Sequence, residues 1–402
     1  MTAGSFDVKL AYETVLVFHS CVRSSWLEML GGIRSFAQSR RWRLQVVEHV
    51  PPRKAIGELL DFWRPDGVIV EAGMDAGGTF TGDFFGCLPV VYLFGDAHRL
   101  KPKALHVDCD VDALGALAAR EFLTLGAKSF VFFGFRDIFW SESRGAAFER
   151  ALALNGCHAE ILSQRFVESG RRGGSADTRS LDRLIRCLRD LPKPCGVFAA
   201  NDMLADEVLG LCQTCGLKVP ADVAVLGVDD DESVCEHTNP TLSSLRPDFF
   251  GAGFASAEML EERLEKKGRI PSARHRTISS VQLVRRGSTR LLPRSNGDVS
   301  KALELIRRQA CDGLRPRDVF ARMTACSRLV EMRFRELTGH TVAEEIRLVR
   351  LERAKKLLRE GALPIGEIAT RCGWKSAAQL RAYFAEAEGE SPRAWRQRSC
   401  RT

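Results

Sequence analysis

From Thr14 to Arg290 the chain alternates between short runs of β-branched and aromatic residues and longer stretches with apolar residues at helical spacing. The apolar runs predict strands at Val15–Phe18, Leu44–Glu48, Gly67–Glu71, Pro89–Phe94, His106–Asp108, Ser129–Phe135, Val197–Ala200, Ala224–Asp229 and Thr277–Val284. Between them the helical period predicts helices at Trp26–Arg40, Ala55–Phe62, Val111–Leu125, Ser141–Asn155, Ser180–Arg189, Asp202–Cys215 and Gly251–Lys267. Runs such as Phe130–Phe133 are apolar without alternation, as expected of parallel strands that helices cover on both faces. So many βα units exceed one sheet. The expected architecture for residues 1–290 is therefore an α/β domain of two lobes.

At Leu291–Gly297 the alternation stops in a short Pro/Ser/Asn/Gly stretch, and residues 291–298 are expected to form a linker. Residues 299–402 show no strand pattern and are expected to form an all-α domain. Its longest predicted helix, Thr341–Glu360, carries an apolar face of Ile346, Val349, Leu351, Ala354, Leu357 and Leu358. On either side lie two similar units, at about 316–338 and 364–388. The first reads as a helix at Pro316–Met323, a turn at Thr324–Cys326 and a second helix at Ser327–Leu337. The second reads as Pro364–Arg371, a turn at Cys372-Gly373-Trp374 and Ser376–Ala387. Each second helix is expected to open on an N-cap serine and to end at a glycine, Gly339 or Gly389, which is helix-turn-helix grammar. Val330, Phe334 and Leu337 fall on one face of the first of these helices, as Leu380 and Phe384 do in the second. A helix of about 20 residues would hold the two units ~30 Å apart. That is close to the ~34–36 Å turn of B-DNA, so both second helices would reach successive major grooves.

Charge sharpens this picture. The net charge is +8, but residues 294–402 hold 23 Lys+Arg against 14 Asp+Glu, so the excess lies in the helical module and the body is near neutral. A basic terminal module beside a neutral body points to a polyanion, double-stranded DNA above all. Composition is ordinary for a globular protein, with 45% hydrophobic and 27% charged residues. No window approaches the ~18 uninterrupted apolar residues of a membrane span. The charged residues Asp7, Lys9 and Glu13 stand where a secretory signal would need an apolar run. The 13 cysteines are scattered and odd in number, which suits reduced thiols and a cytoplasmic location.

Other motifs carry less. Cys212-x-x-Cys215 has no second pair, so no metal is expected there. Gly251-x-Gly253-x-x-Ser256 follows a loop rather than a strand and lacks a third glycine. It reads as close helix packing rather than as a dinucleotide fingerprint. Asp229-Asp230-Asp231-Glu232 lacks EF-hand spacing and reads as a loop with one ligand-facing aspartate. Neither a Gly-x-Ser-x-Gly motif, a P-loop nor a His-Glu-x-x-His motif is present, and no enzyme or cofactor is expected.

The helical module resembles the C-terminal domain of AraC/XylS-type transcription regulators. The landmarks are Phe334, Gly339, Ile346, Arg350, Leu351, Ala354, Leu357, Leu358, Ile365, Ile368, Ala369, Gly373, Trp374, Ser376, Phe384, Gly389, Ser391 and Pro392. By that resemblance Arg328, Glu331 and Met332 are candidate base-reading residues of the first unit, and Ala377, Ala378, Arg381 and Ala382 of the second. Ser327, Arg335 and Ser376 complete the DNA-facing set. Such regulators usually carry Lys or Arg after the position of Phe384, whereas Ala385-Glu386-Ala387-Glu388 is neutral to acidic here. The second unit is expected to hold its phosphates weakly.

The α/β body resembles the effector-binding core of lac-repressor/GalR-type regulators, itself similar to periplasmic sugar-binding proteins. The matching stretches are Cys195–Pro220, Ala221–Asp230, Asn239–Leu242, Gly251–Ala257 and Val284–Thr289. The resemblance lacks that family's N-terminal DNA-binding headpiece, whose place the C-terminal module takes. Such a fusion is similar to xylose-responsive regulators. It implies a ligand-responsive activator whose effector is xylose or a related sugar, with homodimers and RNA polymerase as candidate partners. By match to the family, Arg144, Asn201 and Asp229 would line the effector cleft and Trp140 would cover the sugar ring. Asp202 is either a further cleft residue or the N-cap of its helix. His19 and Glu71 end strands where ligands meet α/β sheets, but surface or packing roles suit them better. Three alternatives stay open: a constitutive DNA binder, a regulator answering to a metabolite other than a sugar, and a cytoplasmic solute-binding protein.

Overall fold

A computed structural model of the chain describes residues 12–19, 24–48, 52–73, 80, 84–96, 104–165, 178–265, 275–290, 297–359 and 363–399. Its α/β body contains two six-stranded sheets, one in each lobe. The first is built from β1 (Glu13–His19), β2 (Trp42–Glu48), β3 (Gly67–Glu71), β4 (Val90–Leu93) and β5 (Leu105–Cys109). The second is built from β6 (Ser129–Arg136), β7 (Ala159–Arg165), β8 (Cys195–Ala199), β9 (Val223–Val228) and β10 (Ser243–Pro247). β11 (His275–Ile278) then returns to the first lobe and β12 (Val281–Val284) to the second. The orders are β11-β5-β4-β3-β1-β2 and β12-β10-β9-β8-β6-β7. The pairings are parallel except for β10 with β12.

The chain thus passes between lobes after β5, after β10 and between β11 and β12. These crossings lie side by side and form the hinge. The apolar run predicted as one strand, Thr277–Val284, is divided by this passage, because its two halves belong to different sheets. β7 and β10 escaped the hydrophobic pattern for different reasons. β7 is a half-exposed edge strand. β10, SSLRP, buries serines whose hydroxyls are satisfied internally: Ser244 Oγ donates to Asp202 Oδ1 (2.6 Å) and Ser243 Oγ accepts from Arg286 N (2.7 Å).

Phenylalanines dominate the core of the second lobe, where Phe198 packs against Phe132 (5.7 Å) and Phe148 (5.2 Å). In the first lobe, helix Ser24–Gln38 crosses helix Phe249–Glu265 at touching backbones. A Cβ on Gly253 would stand 2.0 Å from the Met29 carbonyl oxygen, and one on Gly32 2.1 Å from that of Phe250. The Gly251–Ser256 motif is therefore a helix-packing device, as its context in the sequence indicated.

The C-terminal module is helical. Its helices are Gly297–Gln309, Pro316–Phe320, Ser327–Thr338, Val342–Arg359, Ile365–Arg371, Ala377–Glu388 and Pro392–Ser399. The first begins inside the expected linker, most of which lies outside the described residues. Two cores sit on the long helix Val342–Arg359: one gathers Val319, Phe334, Val342 and Ile346, the other Leu351, Leu358, Ile368, Phe384 and Trp395. Arg350 ties the module together by donating to the Ala310 and Leu314 carbonyls (2.8 and 2.9 Å). Among the described residues no helix is long and apolar enough to cross a membrane.

Candidate functional site: an effector cleft and paired DNA-facing helices

Between the lobes, at the C-terminal ends of the strands, lies a cavity of about 330 Å³. This is where side chains converge in open α/β sheets, because each strand end leads into the start of a helix. Trp140, Arg144, Asn201 and Asp229 all line it. Arg144 is buried: its Nη1 donates to the Ala200 carbonyl (2.6 Å), Nη2 lies 3.5 Å from Asp229 Oδ1, and the guanidinium sits 4.8 Å from the centre of the Trp140 ring. An arginine fixed at one end and loosely paired at the other presents donors to a polyhydroxylated ligand, while the aspartate beside it accepts. Asp229 and Asp230 both have left-handed backbones (φ 109° and 54°), unusual for non-glycine residues and a form of strain that gathers at ligand sites.

Asn201 is the N-cap of helix Asp202–Thr214, accepting from Leu204 N (3.0 Å) through Oδ1. Asp202 is therefore neither that cap nor a cleft-lining residue. Its carboxylate turns inward to accept from Ser244 Oγ (2.6 Å) and Asp231 N (2.8 Å), holding the Asp229–Glu232 loop from behind. Burial, and then the charge of Asp229, raise its pKa well above the usual carboxylate value. Of the acidic run only Asp229 lines the cleft. Asp230 pairs with Arg286 (2.7 Å), Asp231 caps helix Glu232–Cys235, and Glu232 faces the helical module.

Glu71 lines the cavity from the first lobe and accepts from Gly73 N (3.0 Å). His19 lies behind the wall, buried and stacked on Trp26 (4.2 Å). Trp26, Phe94, Phe139 and Phe249, which the sequence pattern did not single out, give the cleft its aromatic walls. Their signal was present, since Trp26, Phe139 and Phe249 each lie in the first turn of a helix that follows a strand.

A larger cavity, about 450 Å³, opens on the hinge side between Glu28, Arg246, Lys356 and Arg359. Two of its cations are already paired, Arg246 with Glu28 across the cavity (2.8 Å) and Lys356 with Glu232 outside its lining (2.9 Å).

In the helical module, Ser327, Arg328, Met332 and Arg335 are exposed along helix Ser327–Thr338, with Glu331 half-buried beside them. Val330 and Phe334 are buried on the opposite face, whereas Leu337, expected with them, is 37% exposed at the helix end. Ser327 does not cap this helix. Cys326 occupies the N-cap without a side-chain bond and Ser327 is the first helical residue. In the second unit Ser376 is the cap and accepts from Gln379 N (3.2 Å). Ala378, Arg381 and Ala382 are exposed and Ala377 is half-buried. Trp374 is buried against Tyr383 (5.3 Å). Glu388 pairs with Lys355 on the long helix (3.0 Å), so one acid of the Ala385–Glu388 stretch serves packing. The long helix, Val342–Arg359, has 18 residues and spans ~27 Å at ~1.5 Å per residue, a little shorter than the helix expected from the sequence.

A hinged cleft joined to two helix-turn-helix units defines a DNA-binding transcription regulator with a periplasmic-binding-protein-like effector body and an AraC-type DNA-binding domain. Residues 119–289 match the periplasmic binding protein-like domain and residues 320–398 the helix-turn-helix domain. Over 372 residues, 92% of this chain and 93% of the relative, the sequence is 26% identical to the xylose operon regulatory protein of Escherichia coli (strain K12). It is 35% identical over 150 residues, 36% of this chain and 41% of the relative, to the transcriptional regulator GntR of Pseudomonas aeruginosa. The fold is shared with the solved xylose-binding transcription activator XylR, with a TM-score of 0.58 at 23% identity over 96% of this chain and 98% of that one.

Proposed function

We propose that the chain is a cytoplasmic activator that binds xylose or a related sugar between its lobes and thereby changes how a homodimer presents its helix-turn-helix units to DNA and to RNA polymerase. The sugar reading draws support from the relatives, a xylose operon regulator and a xylose-binding activator. It suits a cleft that places Arg144, Asp229 and aromatic walls around about 330 Å³. In this reading Arg144 and Asp229 bind hydroxyls, Trp140 covers the C–H face, and Asn201 shapes the wall. Arg328 and Arg381 read bases, with Ser327, Glu331, Met332 and Arg335 beside the first and Ser376, Ala377, Ala378 and Ala382 beside the second. The chain acts as a regulator and not as an enzyme.

One observation carries the coupling. The loop that offers Asp229 to the cleft ends at Glu232, which pairs with Arg353 and Lys356 on the long helix that carries both DNA-facing units (2.9 Å each). Lobe closure that moves Asp229 then moves the anchor of that helix. Converting a 1:99 population to 99:1 requires the sugar to prefer one state by about 5.5 kcal/mol, which calls for polar contacts from both lobes. The test is a melting-temperature screen of the full-length protein against pentoses, hexoses and sugar acids. A dose-dependent rise with xylose or a related pentose supports the reading, since ligand at about 100 times Kd adds ~2.7 kcal/mol. A panel without any shift overturns it.

A further inference from the structure

At the outer edge of the first lobe, β11 runs parallel to β5 with His275 opposite His106 and Thr277 opposite Asp108. The two-residue period of a strand puts His106, Asp108 and His275 on one face, while Leu105, Val107 and Cys109 point into the core from the other. The two imidazoles stack at 4.2 Å and 21°. Both turn Nε2 toward the same carboxylate oxygen: Asp108 Oδ2 is 3.5 Å from His106 Nε2 and 3.2 Å from His275 Nε2. The ligand atoms of the three residues all lie within 4.8 Å of one another.

We propose that His106, Asp108 and His275 form a binding site for a divalent transition metal of the zinc class, at the rim of the effector cleft. Tetrahedral coordination at ~2.0–2.1 Å places neighbouring ligand atoms ~3.3 Å apart, which both nitrogen–oxygen separations approach. A charge-assisted N–H···O bond would be shorter, ~2.7–2.9 Å. Two imidazoles and one carboxylate suit zinc, cobalt or nickel, whereas magnesium and calcium prefer oxygen donors. Asp108 and His275 also line the effector cavity. The metal therefore clips edge strand β11 to β5 beside the hinge and leaves a coordination position for water or a ligand hydroxyl.

The test is a cobalt(II) titration of EDTA-stripped full-length protein, followed by visible absorption and equilibrium dialysis. Expected is one saturable cobalt per chain with a d–d band and without the near-ultraviolet charge-transfer band of thiolate ligands. Zinc should displace the cobalt and magnesium should not. His275→Ala and His106→Ala should each weaken binding about tenfold or more, and so should His275→Gln at a half-exposed strand end, where folding is little at risk. His158→Ala, on the second lobe, should leave binding unchanged. Absence of saturable binding, a thiolate charge-transfer band, or unchanged affinity in folded His275→Gln and His106→Ala would overturn the proposal.

Discussion

Lys356 Nζ lies 2.9 Å from Glu232 Oε1 across the boundary between effector body and DNA-binding domain, and Arg353 holds the other oxygen of the same carboxylate at 2.9 Å. Burial alone would raise the Glu232 pKa, but the two cations outweigh it and hold the carboxyl below its ordinary value. The contact is therefore charged at neutral pH. Because the folded-state pKa is depressed, its contribution is present above the usual value of 4.5 and lost as pH falls through the folded value.

Glu232→Gln should uncouple the two halves. The melting shift caused by sugar should stay within about twofold of the parent's, while the sugar-dependent change in DNA affinity should fall several-fold. The two are read by thermal shift and fluorescence anisotropy. An unchanged DNA response would exclude this ion pair from the coupling.

Arg144 makes one firm bond, to Ala200 O, and one loose contact, to Asp229. Arg144→Lys keeps the charge but not the fork. Loss of a charged hydrogen bond is worth ~1.5–3 kcal/mol, so sugar affinity measured by calorimetry should drop about tenfold or more.

Asp202 adds a pH dependence of opposite sign behind the cleft loop. Its folded pKa is raised by burial and by Asp229, so charging it costs stability, and that cost grows as pH rises above its ordinary 3.8. Asp202→Asn should gain in urea midpoint relative to the parent as pH rises from acid to neutral. A constant gap across that range would contradict the assignment.

Gly253 meets the Met29 backbone so closely that an added Cβ would stand 2.0 Å from its carbonyl oxygen and force a shift. Gly253→Ala should cost about 1–3 kcal/mol by overpacking, read as a lower melting temperature. Gly210→Ala, on an open helix face, should not.

On DNA, Arg328→Ala should lose ~1–3 kcal/mol on the cognate site and little on random sequence, if Arg328 reads a base. Glu388 is turned to Lys355 and Glu386 is exposed, and the second unit is expected to add few phosphate contacts. Log affinity against log salt should therefore be shallow. A slope implying ~10 phosphates would contradict this.

Much of this organisation was legible before the structure. Apolar runs without alternation located the core strands of both sheets except β10, and the charge division located the DNA-binding module. Arg144, Asn201, Trp140 and Asp229 could be singled out because strand ends and family motifs coincide there. What escaped depended on tertiary context. β10 hides its burial behind serines that bond to Asp202, Arg286 and Ser288. The inward turn of Asp202 depends on Ser244 and Asp231, distant in sequence. Cys326 rather than Ser327 caps helix Ser327–Thr338, and it does so without a side-chain bond, against the preference for serine. The His106–Asp108–His275 cluster needs a register between strands separated by the whole second lobe, which no local pattern encodes.

In the proposed mechanism a sugar in the cleft sets the DNA-binding state. This is tested most directly by selecting DNA fragments on the immobilised full-length protein with xylose present, then measuring affinity for the selected site with and without the sugar. A change of about tenfold or more, abolished by Arg144→Lys at the same sugar concentration, is the expected result. Equal affinity in both conditions, with xylose demonstrably bound, would contradict the account.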